Sequence, residues 1–217
     1  MPLVFTKDHQ GSHIALWNIE EEEPFFTERI PYRPDSSHAV KRLQQLSSRY
    51  LLELMHPSFP FDQIEVTKAG KPFLAESEFH FSLSHCDGFS AAIIGKIAPV
   101  GIDVERINPR ILRIESKFLN ATEYELLSGC NEEFRVVYST LFWSIKETVF
   151  KWWGDGAVDF SEQIQIKSID LLDKGTALIK FGKNSETELL VEYIRYQDTW
   201  ITYVEHGVLK ETPLSSK

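Results

Sequence analysis

The run Val100-Gly101-Ile102-Asp103-Val104-Glu105 sets two carboxylates in an otherwise apolar stretch. On a strand, side chains alternate, so Asp103 and Glu105 share one face while Ile102 and Val104 point to the other, into a core. Two acids side by side on a half-buried strand repel each other. A divalent cation at that face removes the repulsion, and hard carboxylate oxygens suit Mg²⁺ or Mn²⁺. A wet strand end with no chemistry has the same local pattern, so the rest of the chain must decide. Trp143, Glu147 and Lys151 recur at four-residue spacing, which puts a third acid and a lysine on one helix face. Read alone, Glu147 and Lys151 make a surface ion pair. Ser84-His85 closes a strand. Neighbouring strand side chains point apart, so this is a poor nucleophile–base pair and a better hydrogen-bonding phosphate site. In Lys68-Ala69-Gly70-Lys71-Pro72, two point-charge phosphate binders flank a glycine that lets backbone approach a ligand; a plain hairpin turn reads equally well. Lys41, Arg42 and Arg49 lie on a helix, as a solvated face or as phosphate contacts. Three carboxylates for one divalent ion, with Lys, His and Ser groups for phosphates, are the equipment of metal-assisted phosphoryl chemistry.

These groups need elements to hold them. Residues 13–19 read as a first strand, followed by an acidic solvated loop (Glu20 to Glu23) and a segment kept irregular by Pro24, Pro31 and Pro34. Ser36 or Ser37 is expected to cap a helix running to about Met55, with Leu43, Leu46, Tyr50, Leu51 and Leu54 on one face. Ile64 to Thr67, Phe79 to His85 and Phe89 to Ile97 read as strands. After Glu105 comes a basic connection, Arg106 to Lys117. Thr122 and Glu125 match a capping box for a short helix stopping at Gly129. A long helix is expected from about Glu132 to Trp153, ended by Gly154, with Phe142, Ile145, Val149 and Trp152 as its buried stripe. Four strands follow: Ile164 to Ile169, Thr176 to Phe181, Glu188 to Tyr196 and Thr199 to Glu205. Residues after Gly207 read as a tail.

The 217 residues, 42% hydrophobic and 25% charged, suit a globular α+β chain. No apolar run nears the roughly 20 residues needed to span a bilayer, and no secretory signal is visible. Two cysteines, Cys86 and Cys130, do not make a disulfide framework, and a reducing cytoplasm is the expected setting. A net charge of −9 argues against a general nucleic-acid or anionic-membrane surface. Each half carries one main helix and several strands, with the acidic motif near the midpoint. Two similar subdomains, 1–99 and 100–217, with a ligand cleft between them are therefore expected.

The ordered set of motifs resembles the 4′-phosphopantetheinyl transferases of the Sfp type. Members carry a motif like Phe-Asn-Ile-Ser-His-Ser, then Gly-Ile-Asp-hydrophobic-Glu, then Trp-x-x-Lys-Glu-Ala with a lysine four residues on. This chain has Phe81-Ser82-Leu83-Ser84-His85-Cys86, Gly101-Ile102-Asp103-Val104-Glu105, and Trp143-Ser144-Ile145-Lys146-Glu147-Thr148 with Lys151. The resemblance runs from about Ile14 to Ser168. It implies a monomer of two α+β halves related by a pseudo-twofold, with the active site between them. It also implies transfer of the 4′-phosphopantetheine arm of coenzyme A to a serine of an apo acyl or peptidyl carrier protein, releasing adenosine 3′,5′-bisphosphate. By the same resemblance Asp103, Glu105 and Glu147 bind Mg²⁺ together with the pyrophosphate, and Glu147 deprotonates the carrier serine, directly or through a water. Lys151 stabilises charge on the phosphates, and Ser84, His85, Lys71, Lys68 and Arg42 contact coenzyme A. Ser82, Cys86 and Thr148 depart from the family pattern without removing an implied metal ligand. Because carrier proteins are acidic, docking is expected at a local basic patch of Arg106, Arg110, Arg113 and Lys117. The alternative reading is a coenzyme A or nucleotide-binding module of the same fold without transfer activity.

Overall fold

The computed structural model describes residues 2–9, 11–75, 77–96, 99–183 and 186–205, and the backbone of 211–212. It opens with a hairpin, β1 (Leu3–His9) and β2 (Ser12–Asn18), turning through Gly11 at φ +89°. The first strand was not legible in the sequence, because Thr6, Lys7 and Asp8 interrupt its apolar pattern. The proline-containing segment is not wholly irregular. Pro24 sits in the first turn of a short helix, α1 (Glu23–Thr27), where its missing N–H costs nothing, and Phe26 is buried. The main N-terminal helix, α2 (Ala39–Met55), starts after His38, without the serine side-chain cap expected from Ser36 or Ser37. Its buried stripe contains Leu46, Leu51 and Leu52, whereas Leu54 is exposed. A small hairpin, β3 (Ile64–Val66) and β4 (Pro72–Leu74), turns through Gly70 at φ +86°. Then come β5 (His80–Cys86) and β6 (Phe89–Gly95), the latter buried throughout.

β7 (Gly101–Arg106) carries the two acids. Two 3₁₀ turns follow, then α3 (Ala121–Leu127) and α4 (Glu132–Trp153). The capping box of α3 is Asn120 with Glu123, each side chain meeting the other's backbone N–H, rather than Thr122 with Glu125. The chain continues through β8 (Ile164–Ser168), β9 (Lys174–Gly182), β10 (Glu186–Tyr196) and β11 (Thr199–Val204). Of the expected tail, only the backbone of β12 (Glu211–Thr212) is described, and it pairs with the start of β10; the rest lies outside the described residues.

Strands β1-β2-β6-β5 form one antiparallel sheet and β7-β11-β10-β9-β8 another. Period-two alternation lets each sheet bury both faces. Ala15, Trp17, Ala92 and Ile94 face α2. Their neighbours Ile14, Leu16, Ala91 and Ile93 face Ile102, Val104, Ile201 and Tyr203 of the second sheet. The far face of that sheet packs on α4 through Phe142, Ile145 and Val149, each burial worth about 1.5–3 kcal/mol. The order is helix, sheet, sheet, helix. Edge strands β5 and β7 meet at the seam, where Ser82 Oγ accepts from Ile102 N at 3.3 Å and Ser84 Oγ from Val104 N at 3.1 Å. Serine hydroxyls there replace a backbone ladder.

Candidate active site

The 22 residues of α4 are bounded by side-chain and backbone chemistry at both ends. Asn131 accepts from Phe134 N at 2.9 Å, Glu132 and Glu133 occupy the first turn, and Gly154 ends the helix at φ +75°. The helix crosses β7 closely because residue 101 is glycine. A Cβ there would overlap the Thr148 carbonyl oxygen and lie 2.9 Å from Trp152 N. This approach brings the Trp143, Glu147 and Lys151 face of the helix over the Asp103 and Glu105 face of the strand.

Asp103 is the centre of the contacts and is only 2% exposed. Its Oδ1 accepts from Lys151 Nζ at 2.6 Å and from Ser84 Oγ at 2.9 Å, and its Oδ2 accepts from Ser144 Oγ at 2.8 Å. Lys151 also donates to Ser84 Oγ at 2.7 Å. Glu105 accepts from the Trp143 indole N–H at 3.2 Å. The Glu147 carboxylate makes no hydrogen bond among the described residues but feels the charges of Asp103 and Lys151. Burial, reinforced by the Asp103 charge, pushes Glu105 up to about 8 and Glu147 up to about 7; Lys151 opposes both shifts. Burial and the two strand acids also push the Cys86 thiol up to about 12, which leaves it a neutral, weak nucleophile.

Three acids thus share one lysine, so full ionisation leaves two negative charges unbalanced. That deficit and the all-oxygen donor set fit a divalent cation. The acids are not gathered as a ready ligand cluster: among the described residues, no group of three or more His, Cys, Asp or Glu side chains stands close enough to hold a metal ion. The acids differ in their partners among the described residues, since Asp103 is pinned by Lys151 and the two serines, whereas Glu147 has no hydrogen bond.

A pH dependence follows. Both glutamates have folded values above their ordinary 4.5, so the metal-free protein binds more protons folded than unfolded. Their contribution to stability is fully present below 4.5 and is lost as pH rises through about 7 and 8. The melting temperature without metal is expected to fall over that window, and Mg²⁺ to raise it more at pH 8 than at pH 5. A Mg²⁺ effect equal at both pH values, or none, contradicts a cation held by these acids.

The other expected site residues are not all gathered. Lys71 lies beside the C-terminus of α4 and donates to Trp152 O at 3.2 Å; burial lowers its ammonium to about 8. Together with Gly70, Ser82, Leu83, Phe150 and Lys151 it lines a cavity of about 230 Å³ along the seam. Lys68 is exposed at the tip of the same turn. His85 ends β5 on the exposed side, its imidazole pKa lowered by desolvation and by the charges of Lys151 and Arg49. Ser84 is not an open phosphate contact, since Asp103, Lys151 and Val104 N occupy its hydroxyl. Arg42 is held away from such a role by Glu23, at 2.8 Å, and by the Ser36 and Ser37 carbonyls. On α2, Lys41 is exposed, and Arg49 keeps a spare donor. Its guanidinium lies over the Tyr32 ring, 3.9 Å from the centroid, and its buried Nε has no partner among the described residues. In the basic connection, Arg106 is paired with Asp198 and Asp87, while Arg110, Arg113 and Lys117 are exposed. Lys117 borders a hollow of about 440 Å³ formed with Ile114, Trp143, Val158 and Phe160.

Sequence reading passed over Lys146, which is completely buried. Four acceptors lie 2.7–2.9 Å from its ammonium and share its three protons: the carbonyls of Phe118, Phe160 and Ile164 and Glu123 Oε2. Glu123 also accepts from Asn120 N and Ile166 N. This buried pair ties α4 to its surroundings one residue before Glu147. Its place in the Trp143-to-Thr148 motif and at the seam between the Ile145 and Trp143 stripes gave no hint of a buried ion pair.

Residues 99–204 match the 4′-phosphopantetheinyl transferase superfamily. Over 154 residues the chain is 33% identical to the 4′-phosphopantetheinyl transferase psf-1 of Bacillus pumilus, covering 65% of this chain and 64% of that one. It is 30% identical over 122 residues to a 4′-phosphopantetheinyl transferase of Bacillus subtilis, covering 56% of this chain and 53% of that one. Identity to the 4′-phosphopantetheinyl transferase HetI of Nostoc sp. (strain PCC 7120) is 31% over 99 residues, 43% of this chain and 42% of that one. The chain spans less than two thirds of the length of each of these relatives. Asp103, Glu105, Glu147 and Lys151 all lie inside the residues that match the 4′-phosphopantetheinyl transferase superfamily.

Proposed function

We propose that the protein transfers the 4′-phosphopantetheine group of coenzyme A to a serine of an apo carrier protein, acting as a monomer in the cytoplasm. The observation that carries this reading is the meeting of Asp103, Glu105, Glu147 and Lys151 where α4 crosses β7, beside a cavity lined by Lys71. Asp103, Glu105 and Glu147 would hold Mg²⁺, which when bound supplies charge neutralisation at the coenzyme A pyrophosphate. Glu147, raised to about 7 and without a hydrogen-bond partner among the described residues, is suited to take the proton of the carrier serine near neutral pH. The serine oxygen then attacks the phosphorus bearing the pantetheine arm. The bond to the bridging pyrophosphate oxygen breaks, and adenosine 3′,5′-bisphosphate leaves. Lys151 steadies charge on the transferred phosphoryl group. Lys71, His85 and Arg49 supply cations and hydrogen-bond donors for the remaining phosphates, with Lys68 at the turn. Arg110, Arg113 and Lys117 receive the acidic carrier, the hollow beside Trp143 taking its apolar contacts.

The fold supports the same reading. The units β2–α2–β5–β6 and β7–α4–β10–β11 repeat one strand–helix–hairpin topology, in which the last strand pairs with the first. That repeat supports a reading of two subdomains, 1–99 and 100–217, related by a pseudo-twofold with the site at their seam.

A second reading, a coenzyme A-binding module without transfer, draws on the way Lys151 and Ser144 already occupy Asp103. Incubation with labelled coenzyme A, Mg²⁺ and a panel of apo acyl and peptidyl carriers separates the two. Label on a carrier supports transfer, and retention of coenzyme A with no labelled carrier supports the module.

A further inference from the structure

Behind Asp103 lies a run of hydroxyls that no step of the proposed reaction touches. Ser144 Oγ donates to Asp103 Oδ2 and lies 2.9 Å from Thr202 Oγ1, which in turn lies 2.6 Å from Thr148 Oγ1. All three residues are completely buried. Ser144 and Thr148 sit one turn apart on α4, and Thr202 is the residue of β11 paired directly with Asp103 of β7. Each hydroxyl has one proton. Ser144 gives its proton to the carboxylate, so its oxygen is left to accept from Thr202. Thr202 then has its own oxygen open to Thr148. The chain is directional and terminates on Oδ2, an arrangement in which each bond polarises the next. The Ser144 and Thr202 carbonyls, 2.9 and 3.0 Å from the Thr202 and Thr148 hydroxyls, also accept from them, so each threonine proton is shared between a carbonyl and the next hydroxyl of the chain. A helix hydroxyl has a simpler option, which Thr140 takes by bonding back to Val136 O at 2.8 Å. Ser144 and Thr148 instead reach across to β11.

The two oxygens of Asp103 are unequally occupied. Among the described residues, Oδ1 takes Lys151 and Ser84, whereas Oδ2 takes Ser144 alone. With two lone pairs on each oxygen, the spare one is on Oδ2. We propose that Ser144, Thr202 and Thr148 are positioning residues whose hydroxyl chain fixes the rotation of the Asp103 carboxyl and keeps that lone pair for the divalent cation. The inference rests on the proposed role of Asp103 as a cation ligand. Removing partners that orient a metal ligand commonly lowers metal affinity 10- to 100-fold.

The test is a calorimetric titration of Mn²⁺ alone into the wild type and into Ser144→Ala, Thr148→Val and Thr148→Ser, with metal-free melting temperatures taken alongside. Ser144→Ala is expected to weaken Mn²⁺ binding about tenfold. Thr148→Val, which keeps the shape and removes the hydroxyl, weakens it less. Thr148→Ser restores the wild-type value, an outcome that a packing role alone does not give. If Ser144→Ala does not fold, Thr148→Val against Thr148→Ser decides by the same comparison. Folded Ser144→Ala or Thr148→Val protein that binds Mn²⁺ as the wild type does, with only its melting temperature lowered, overturns the inference. Wild-type protein that binds no Mn²⁺ overturns the reading of Asp103 as a ligand, and the inference with it.

Discussion

Glu147→Gln is expected to lower kcat for phosphopantetheine transfer by at least about a hundredfold, corresponding to roughly 2.7 kcal/mol of transition-state stabilisation. The substitution keeps the size of the side chain and removes its charge and basicity. Because no hydrogen bond holds Glu147 among the described residues, no neighbour is orphaned and the fold should be undisturbed. Coenzyme A binding should survive in part, since Lys71 and Arg49 lie on other elements. Lys151→Ala should also lower kcat. Combined with Glu147→Gln it should add little, because both serve one step. An exposed ion pair between the two would be worth under about 1 kcal/mol and would leave turnover alone. The structure already disfavours that simpler pairing, because Lys151 contacts Asp103 and Ser84. Near-normal kcat in Glu147→Gln would remove the base from the proposed reaction.

The second large effect is on stability. Lys146→Met removes the ammonium that four acceptors surround and strands the Glu123 carboxylate in the core. Burial already lowers the Lys146 pKa, opposed by Glu123. Breaking one side of such a buried pair costs about 3–5 kcal/mol. The urea midpoint of Lys146→Met should fall accordingly. Adding Glu123→Gln should recover part of the loss, since a neutral amide is cheaper to bury than an unpaired carboxylate. A loss below about 1 kcal/mol in the single variant would mean that water or rearranged side chains replace the lysine.

Strong local patterns were legible in the sequence. The long helix is the observed α4, from Glu132 to Trp153, because an apolar stripe and a glycine stop agree. The alternation in Val100 to Glu105 likewise separates the core-facing Ile102 and Val104 from Asp103 and Glu105. What escaped depended on tertiary partners. β1 is polar along its middle and is held partly by Lys7, which reaches Glu192 and Tyr203 of the other sheet. Arg42 and Arg49 look alike on a helical wheel, and only the folded chain gives Glu23 to one and leaves the other with a free donor. Ser84 looked like a ligand contact because nothing local places Val104 N and Asp103 beside it. The hydroxyls of Ser144, Thr148 and Thr202 carry no periodic signal, since they converge only when α4 lies on β11.

The most direct measurement is the intact mass of an apo carrier protein after incubation with the wild-type protein, coenzyme A and Mg²⁺. The same carrier with its acceptor serine changed to alanine runs in parallel, and adenosine 3′,5′-bisphosphate is quantified in each reaction. The expected result is a mass increase of one phosphopantetheine on the serine carrier, none on the alanine carrier, and one nucleotide released per carrier modified. Unchanged carriers across acyl and peptidyl types, with coenzyme A bound and intact, would contradict transfer at this site.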